Sequence, residues 1–131
     1  MLFEFTLSTP DEGLVDITNE VKAAVRESGV NEGICVVFCP HTTAAITINE
    51  NADPDVKTDF VEGMNKSFPD LTVFKHAEGN SDAHIKSSSV GASETIIIRG
   101  GNPLLGTWQG IYFCEFDGPR NRKFFVKIIG G

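Results

Sequence analysis

The sequence predicts an α+β fold in which residues 1–131 form one compact domain, a largely antiparallel β-sheet or sandwich with about three helices. Two observations predict this class. About eight segments have strand character, and the strands often follow one another with no helix between them, which a doubly wound parallel sheet does not allow. The chain length of 131 residues fits one domain. It excludes a (β/α)8 barrel, which needs about 250 residues.

The strands are predicted from short runs that are rich in β-branched and aromatic residues or that alternate apolar with polar side chains. They fall at residues 2–8, 14–17, 33–39, 45–49, 71–75, 95–98, 107–116 and 123–129. The run 33–39 is continuously apolar after Gly33 and is typical of a buried strand. Residues 117–121, Asp-Gly-Pro-Arg-Asn, favour a turn, so we expect the last two strands to form a hairpin.

Three helices are predicted from apolar residues at helical spacing and from signals at the helix ends. They are residues 18–28, a helix that starts at Asp53-Pro54 and ends before Pro69, and residues 82–90. Asp53 is a favoured cap and Pro54 suits the first helical position. Gly29 and Gly91 end the first and third helices, and Ser81 is the expected cap of the third.

The charge balance limits the possible partners. The chain has eleven basic and 18 acidic residues, for a net charge of -7. Neither nucleic acid nor a membrane surface is therefore an expected partner. The basic trio Arg120, Arg122 and Lys123 lies in a turn and is expected to be solvated. Cys35 and Cys39 lie in an apolar run, which predicts buried free thiols. With no apolar run of bilayer length and no signal-peptide pattern, we expect a cytoplasmic protein.

The three histidines are candidates for a shared site. His41 follows a buried strand, while His76 and His84 flank a polar segment that also holds two carboxylates and an amide around one glycine. Three neutral imidazoles with an open position suit catalytic zinc, and added carboxylates suit manganese or iron. Their spacing matches no named zinc signature. We therefore expect a divalent metal, zinc or magnesium/manganese, held by His41, His76 and His84.

Acidic residues supply the candidate catalytic groups. Residues 49–55 gather three carboxylates and two amides between a strand and a helix. Asp53 and Asp55 also suit a helix cap, whereas Glu50 has no such explanation. If Glu50 faces the histidines, it is a candidate general base or metal ligand. Asp53 and Asp82 are the further catalytic candidates.

Backbone N–H groups at the start of the third helix are suited to an anion, and phosphate is the expected ligand. The candidate ligand-binding residues are Thr42, Thr43, Asn49, Asn80, Ser81, Lys86, Ser88, Gln109 and Glu115. Gln109 and Glu115 interrupt the apolar strand 107–116. A buried polar residue needs a hydrogen-bond partner, which a site, a subunit interface or a core network could supply.

Four blocks of the sequence together resemble a known family. They are His41-Thr42-Thr43-Ala44-Ala45, residues 49–56 (NENADPDV), residues 78–84 (EGNSDAH) and residues 105–120, which open with Leu-Gly-Thr-Trp-Gln-Gly-Ile. In this order they closely resemble the YjbQ-like family, also labelled secondary thiamine-phosphate synthase. The resemblance covers nearly the whole chain, and only Thr43 stands where the family often has serine.

The resemblance implies an α+β domain that assembles as a homotrimer, with the histidine and acidic blocks in a site near the subunit boundary. It also implies a weak ability to couple hydroxymethylpyrimidine diphosphate with thiazole phosphate, releasing diphosphate. The dedicated synthase is a barrel enzyme, so a shared activity would be convergent. Two alternatives stay open: a metal-dependent hydrolase of a small phosphorylated metabolite, with Glu50 or an aspartate activating water, and a non-catalytic trimer that binds an anion or a metal.

Overall fold

The computed structural model describes residues 1–131 and confirms the α+β class, with eight strands and three helices. The strands are β1 (Leu2–Ser8), β2 (Gly13–Asp16), β3 (Gly33–Phe38), β4 (Ala44–Glu50), β5 (Ser93–Arg99), β6 (Asn102–Pro103), β7 (Gln109–Glu115) and β8 (Asn121–Gly130). The helices are α1 (Thr18–Ser28), α2 (Pro54–Ser67) and α3 (Ser81–Val90). Asp53 caps α2 as predicted, since its Oδ1 accepts a hydrogen bond from Asp55 N at 2.9 Å.

The strands form two antiparallel sheets. The larger sheet has the order β1-β8-β3-β5-β6, and the smaller has the order β2-β7-β4. Their facing sides enclose the main core, in which Val37 and Phe124 of the large sheet share one cluster with Ile46 and Phe113 of the small sheet. Helix α1 adds its buried face, including Val25, to the same cluster.

Helices α2 and α3 cover the other side of the small sheet. A second apolar cluster joins Ala45 and Cys114 of that sheet to Ala83 of α3, with Phe60 of α2 packed against it. Helix α3 lies along β4, and Ser87 Oγ donates to the carbonyl of Ala44 at 2.6 Å. This packing brings the start of α3 to the same end of the molecule as the loop that precedes β4.

One predicted strand is wrong. Residues 71–75 form a turn rather than a strand, and Phe74 N donates to the carbonyl of Leu71 at 3.1 Å. No strand lies beside this segment to complete a ladder, and the side chain of Val73 is 76% exposed. A short run rich in apolar residues therefore does not make a strand where no sheet edge is available. The eighth strand is instead β6, which the sequence pattern did not indicate.

The predicted hairpin at residues 117–121 is also wrong, because β7 and β8 belong to different sheets. The connection crosses from one sheet to the other and binds the turn after β1: Thr9 N donates to the carbonyl of Arg120 at 2.9 Å, and Gly118 N donates to the carbonyl of Asp11 at 2.8 Å. A Cβ at Gly118 would lie 1.8 Å from the carbonyl oxygen of Pro10, so this close approach requires glycine.

The cysteines are buried and free, as expected for Cys35 and Cys39. Burial raises the pKa of each of these two thiols to about 11. Cys114 is likewise buried and unpaired. None of the three helices is long and apolar enough to cross a membrane.

Candidate functional site

The three histidines line a single pocket of about 360 Å³. It lies where the β3–β4 loop, the start of α3 and the β7–β8 connection meet. We call it the histidine–arginine pocket after its lining residues: Pro40, His41, Thr42, Thr43, His76, Glu78, Asn80, His84, Arg120 and Arg122. A second hollow of about 460 Å³ shares His41, Thr42 and His84 with it and includes the predicted ligand residue Ser88.

His41 is held as a neutral hydrogen-bond donor. Its Nε2 accepts a hydrogen bond from the backbone N–H of Lys123 at 3.0 Å. Burial lowers the pKa of His41, and the nearby positive charge of Arg122 lowers it further. A neutral imidazole whose Nε2 accepts carries its proton on Nδ1. The ring therefore has one N–H left to offer to a ligand.

His76 and His84 form a close pair. Their rings stand at right angles, with centroids 5.3 Å apart. His84 belongs to the first turns of α3, and His76 lies in the preceding loop, where Gly79 N donates to its carbonyl at 3.1 Å. Gly79 adopts a φ of 73°, a left-handed conformation that glycine takes without strain. The predicted proximity of these two imidazoles is thus present in the structure.

The structure gives little support to the expected divalent-metal site at the three histidines. No group of three or more His, Cys, Asp or Glu side chains is arranged to hold a metal ion. His41 could ligate only through Nδ1, which would move the ring proton to Nε2 and set it against the N–H of Lys123. Three imidazoles that line one pocket therefore do not by themselves form a three-histidine metal centre.

Arg122 and Glu115 form a buried ion pair beneath the pocket. Arg122 Nε lies 2.8 Å from Glu115 Oε1, and its Nη2 lies 2.5 Å from Oε2. The Thr9 hydroxyl also donates to Glu115, and Arg122 Nη2 donates to Thr43 Oγ1 at 2.8 Å. Burial alone raises the pKa of Glu115, but the hydrogen bonds from Arg122 and Thr9 outweigh it, and the net pKa is lowered.

This pair corrects two predictions. Arg122 is buried rather than solvated, and Glu115 holds Arg122 instead of facing the pocket itself. Of the three alternatives for the partner of Glu115, a network within the chain is the one present. Arg120 and Arg122 are also the functional residues that sequence reasoning missed. The signal for them was an acidic residue in an apolar strand, which requires a cation from elsewhere in the fold.

Asp117 fixes both Arg120 and Asn80. Arg120 Nη2 lies 2.9 Å from Asp117 Oδ2 and its Nε donates to the Asp117 carbonyl at 2.7 Å. Asn80 Nδ2 donates to the same Oδ2 at 2.7 Å. Burial alone raises the pKa of Asp117, but the hydrogen bonds from Asn80 and Arg120 outweigh it and lower the pKa.

The start of α3 differs from the prediction. The helix begins at Ser81, so Ser81 is its first residue and not its cap. Asn80 occupies the cap position, but its side chain makes no capping bond because its amide donates to Asp117. Neither Ser81 nor Asp82 lines the pocket.

Lys86 is not placed to bind a ligand. Its side chain is buried, with Nζ donating to Asn65 Oδ1 at 2.5 Å and to Asp82 Oδ2 at 3.1 Å. Glu12 Oε2 is 3.9 Å from the same nitrogen. The predicted phosphate ligand Lys86 and the catalytic candidate Asp82 therefore belong to a network that ties α3 to α2 and to the β1–β2 turn.

The acidic block lies at the far end of β4 from the histidines of the same chain. Strands rise about 3.4 Å per residue, so Thr43 and Glu50 are roughly 20 Å apart. Asn49 and Glu50 pair with Gly110 and Gln109 across to β7. The structure thus separates Asn49, Glu50, Asp53 and Gln109 from the histidine–arginine pocket of the same chain.

The polar residues at this far end have local roles. The Tyr112 hydroxyl donates to the carbonyl of Glu50 at 3.0 Å. Gln109 is exposed, and its Oε1 accepts from Gly106 N at 2.7 Å. Asp53 caps α2. The side chain of Gln109 accordingly points to no buried site.

Comparison with known proteins gives consistent matches along the whole chain. Residues 3–131 match the family model described as UPF0047 protein YjbQ-like. A UPF0047 protein of Methanocaldococcus jannaschii is 60% identical over 131 residues, covering 99% of this chain and 95% of the relative. The UPF0047 protein YugU of Bacillus subtilis is 52% identical over 124 residues, covering 94% of each.

Solved structures agree with this fold. A YjbQ/UPF0047 family protein of Clostridium acetobutylicum superposes with a TM-score of 0.95 at 62% identity, covering 97% of this chain and 99% of that one. A protein of Sulfolobus solfataricus P2, described as YbjQ-like and of unknown function, gives a TM-score of 0.95 at 33% identity, covering 100% of this chain and 97% of that one.

Proposed function

The chain belongs to the YjbQ-like UPF0047 family, and we propose that its histidine–arginine pocket binds the phosphate group of a small phosphorylated metabolite. One observation carries this proposal: three histidines and two arginines from separate segments line the same pocket of about 360 Å³. Imidazole and guanidinium N–H groups are strong donors to phosphate oxygens, and arginine matches phosphate geometry in particular.

The state of each donor supports an anionic ligand. His41 offers an N–H because its other nitrogen is already engaged. Arg122 Nε donates to Glu115, and its Nη2 donates to Glu115 and Thr43. Its Nη1 makes no hydrogen bond within the chain. Arg120 is half exposed and lines the pocket while Asp117 holds it. These groups are positioned before the ligand arrives, which reduces the cost of binding.

For the reaction, we propose the coupling of hydroxymethylpyrimidine diphosphate with thiazole phosphate. The bond between the pyrimidine methylene carbon and the diphosphate oxygen breaks, and that oxygen keeps the electron pair. The thiazole nitrogen forms the new bond to the methylene carbon, so that diphosphate and thiamine phosphate are the products. Arg120, Arg122 and His84 would stabilise the charge that builds on the departing diphosphate. Glu115 and Asp117 would keep the two arginines in place.

An assay of the purified protein tests this reaction. The two phosphorylated precursors are incubated with the protein and Mg²⁺, and thiamine phosphate and diphosphate are both measured. We expect equal amounts of the two products, and a loss of at least tenfold in Arg120→Ala, since a hydrogen bond to a charged group contributes about 1.5–3 kcal/mol. Arg26→Ala, which removes an exposed arginine from α1, is the matched control. Unchanged rates in Arg120→Ala would contradict the assignment.

Metal-dependent hydrolysis is the second candidate function. The close pair of His76 and His84, with Glu78 lining the same pocket, favours it. Hydrolysis predicts phosphate release from a single substrate without the thiazole partner. Metal analysis by mass spectrometry on protein purified without chelator tests the expected zinc, magnesium or manganese. A stoichiometric metal that is lost in His84→Ala supports this candidate, and metal-free protein in both samples counts against it.

Stoichiometric binding without turnover would identify the third candidate, a non-catalytic binding protein. It predicts that inorganic phosphate or diphosphate binds to the pocket and that neither precursor is converted. This outcome would support the proposed phosphate binding and refute the proposed coupling reaction.

We also propose that the protein is a cytoplasmic homotrimer. The three buried free thiols fit a reducing compartment. Part of the outer face of the large sheet is apolar: Ile97 of β5, Ile34 of β3 and Ile129 of β8 are cross-strand neighbours, and all three are exposed. A contiguous exposed apolar patch is typical of an interface. Further copies of this chain are the partner that we assign to it.

A further inference from the structure

A hollow of about 440 Å³ on strands β1 and β8 adjoins the histidine–arginine pocket, because Arg122 lines both. We call it the β1–β8 hollow. Arg122 Nη1 makes no hydrogen bond within the chain, and the Lys123 side chain is 55% exposed, with Glu4 at 3.5 Å. The hollow therefore offers cationic groups to whatever occupies it. Its lining residues are Thr6, Leu7, Ser8, Asn121, Arg122 and Lys123.

The outer face of the large sheet continues from this hollow as a partly apolar surface. Phe38 of β3 and Phe125 of β8 are cross-strand neighbours on it, and Phe38 is 43% exposed. His41 follows Phe38 by three residues, and its ring accepts the hydrogen bond from Lys123 N. The histidine–arginine pocket thus lies at the edge of a surface that is typical of an interface.

The far end of β4 carries groups that complement this surface. The Trp108 side chain is 62% exposed, and the Trp108 carbonyl accepts a hydrogen bond from Asn51 N at 2.9 Å, one residue from Glu50. The carboxylates of Glu50, Asp53 and Asp55 form no ion pair within the chain. An exposed indole beside unpaired carboxylates is suited to a hollow that presents cations.

One chain cannot bring these two ends together, because β4 separates them by roughly 20 Å. In a ring of identical subunits, each copy presents one surface to the next copy and a different surface to the previous one. The far end of one copy can therefore meet the pocket of its neighbour.

We propose that Trp108 of the partner subunit fills the β1–β8 hollow and that the partner's Glu50 completes the histidine–arginine pocket. This inference rests on the proposed function and adds a second chain to the site. Positive charge develops on the methylene carbon as diphosphate departs, and a carboxylate stabilises such a charge. Glu78 is the one carboxylate that lines the pocket of a single chain. Glu50 of the partner subunit supplies a second.

Fluorescence of Trp108 tests the contact directly, because it is the only tryptophan of the chain. An indole that fills a hollow on a partner subunit is shielded from water. We expect emission at shorter wavelength in the assembled wild type than in monomeric Ile97→Lys. Identical emission from the two proteins would overturn the placement of Trp108.

Chemical crosslinking tests which surfaces meet, without any assay of the reaction. Chains with Thr42→Cys, at an exposed position of the pocket, are coexpressed with Glu50→Cys chains and treated with a bismaleimide much shorter than β4. The three native cysteines are buried and should not react. We expect covalent dimers only when both variants are present. No crosslink in the mixture, or a crosslink in Glu50→Cys alone, would overturn the proposal.

Mixed trimers test the shared site through activity. Glu50→Gln and His84→Ala should each lower the coupling rate at least about tenfold. Coexpressed in equal amounts, they should recover about one quarter of the wild-type rate, because one site in about four combines an intact His84 with an intact Glu50 from the neighbour. Glu62→Gln, at an exposed glutamate of α2, is the matched control and should keep the wild-type rate. Light scattering confirms that each variant assembles.

The outcomes separate this inference from the proposed function. Turnover by the wild type without recovery in the mixed trimers would overturn the shared site alone. Crosslinking in a protein without turnover would refute the coupling reaction and support the contact between copies. A loss of rate in Glu78→Gln but not in Glu50→Gln would overturn the role of the partner's Glu50.

Discussion

Glu115 holds Arg122 at two points, with Nε 2.8 Å from Oε1 and Nη2 2.5 Å from Oε2, and both side chains are buried. Glu115 comes from the small sheet and Arg122 from the large one. The pair therefore joins the two sheets directly beneath the pocket. Its removal should affect both the stability of the fold and the affinity for phosphate.

Replacing Glu115 by Gln should lower the free energy of unfolding by about 3 kcal/mol, because it leaves the Arg122 charge buried without its partner. Urea denaturation measures this change. The double variant Glu115→Leu/Arg122→Met should recover most of the stability, since an apolar pair can replace a buried ion pair. It should still bind phosphate more weakly than the wild type. If Glu115→Gln is as stable as the wild type, the pair has no structural role.

Acid should destabilise the fold through Glu115 and Asp117, whose pKa values are both lowered in the folded protein. Ionised carboxylates with a lowered folded pKa contribute stability that is complete above their ordinary pKa of about 4 and is lost as the pH falls through the lower folded value. The melting temperature should therefore drop as the pH falls below about 4. Glu115→Gln should show a smaller drop. Equal pH dependence in both proteins would contradict this.

The tautomer of His41 can be read directly by NMR. At pH 7, long-range ¹⁵N–¹H spectra should show a neutral ring with its proton on Nδ1, because Nε2 accepts from Lys123. The pKa of His41 should lie below the usual value of about 6.5, since burial and the charge of Arg122 oppose protonation. A proton on Nε2 would show that the bond to Lys123 is not made in solution.

Arg120→Ala should weaken the binding of inorganic phosphate by about tenfold, the loss of one hydrogen bond from a charged donor. Calorimetry gives the dissociation constant. Arg26→Ala, at an exposed arginine of α1, removes the same charge away from the pocket and should bind as the wild type does. If both variants lose affinity equally, the effect comes from net charge and not from the pocket.

Ile97→Lys should dissociate the proposed trimer. Ile97 is 57% exposed and lies beside Ile34 on the outer face of the large sheet, so a lysine there costs the single chain little and is buried only on assembly. Light scattering after size exclusion gives the mass. Thr58→Lys, on the exposed side of α2, adds the same charge elsewhere and should leave the mass unchanged. A wild-type protein that elutes as a monomer would refute the trimer outright.

Local chemistry made much of the fold predictable. The cap at Asp53 and the helix end at Gly29, where φ is 72°, depend on the residues themselves and their immediate neighbours. Strand pairing does not depend on neighbouring residues alone. The turn-forming residues 117–121 show that the chain changes direction, but not that β7 and β8 enter different sheets. Similarly, residues 71–75 have the apolar and β-branched content of a strand and no sheet edge to join.

The candidate site was likewise predictable where it depends on local sequence and unpredictable where it depends on contacts between distant residues. Polar residues at the ends of elements correctly indicated that the histidines share a pocket. Arg122 was misjudged because its burial depends on Glu115, which is seven residues away in sequence but lies in the other sheet. Lys86 was misjudged because its burial depends on Asn65 of α2, which accepts a hydrogen bond from it, and the i,i+4 pair with Asp82 in its own helix does not reveal this contact. Each error concerns a long-range contact that no local pattern encodes.

The pairing of β1 with β8 has a consequence for how the protein is made. The first strand of the chain to be synthesised must wait for the last one before the large sheet can close. Arg122 lies on β8, and so does the Lys123 N–H that sets the state of His41. A nascent chain therefore has no complete pocket until β8 has left the ribosome and paired with β1. Binding at the proposed site would require that pairing.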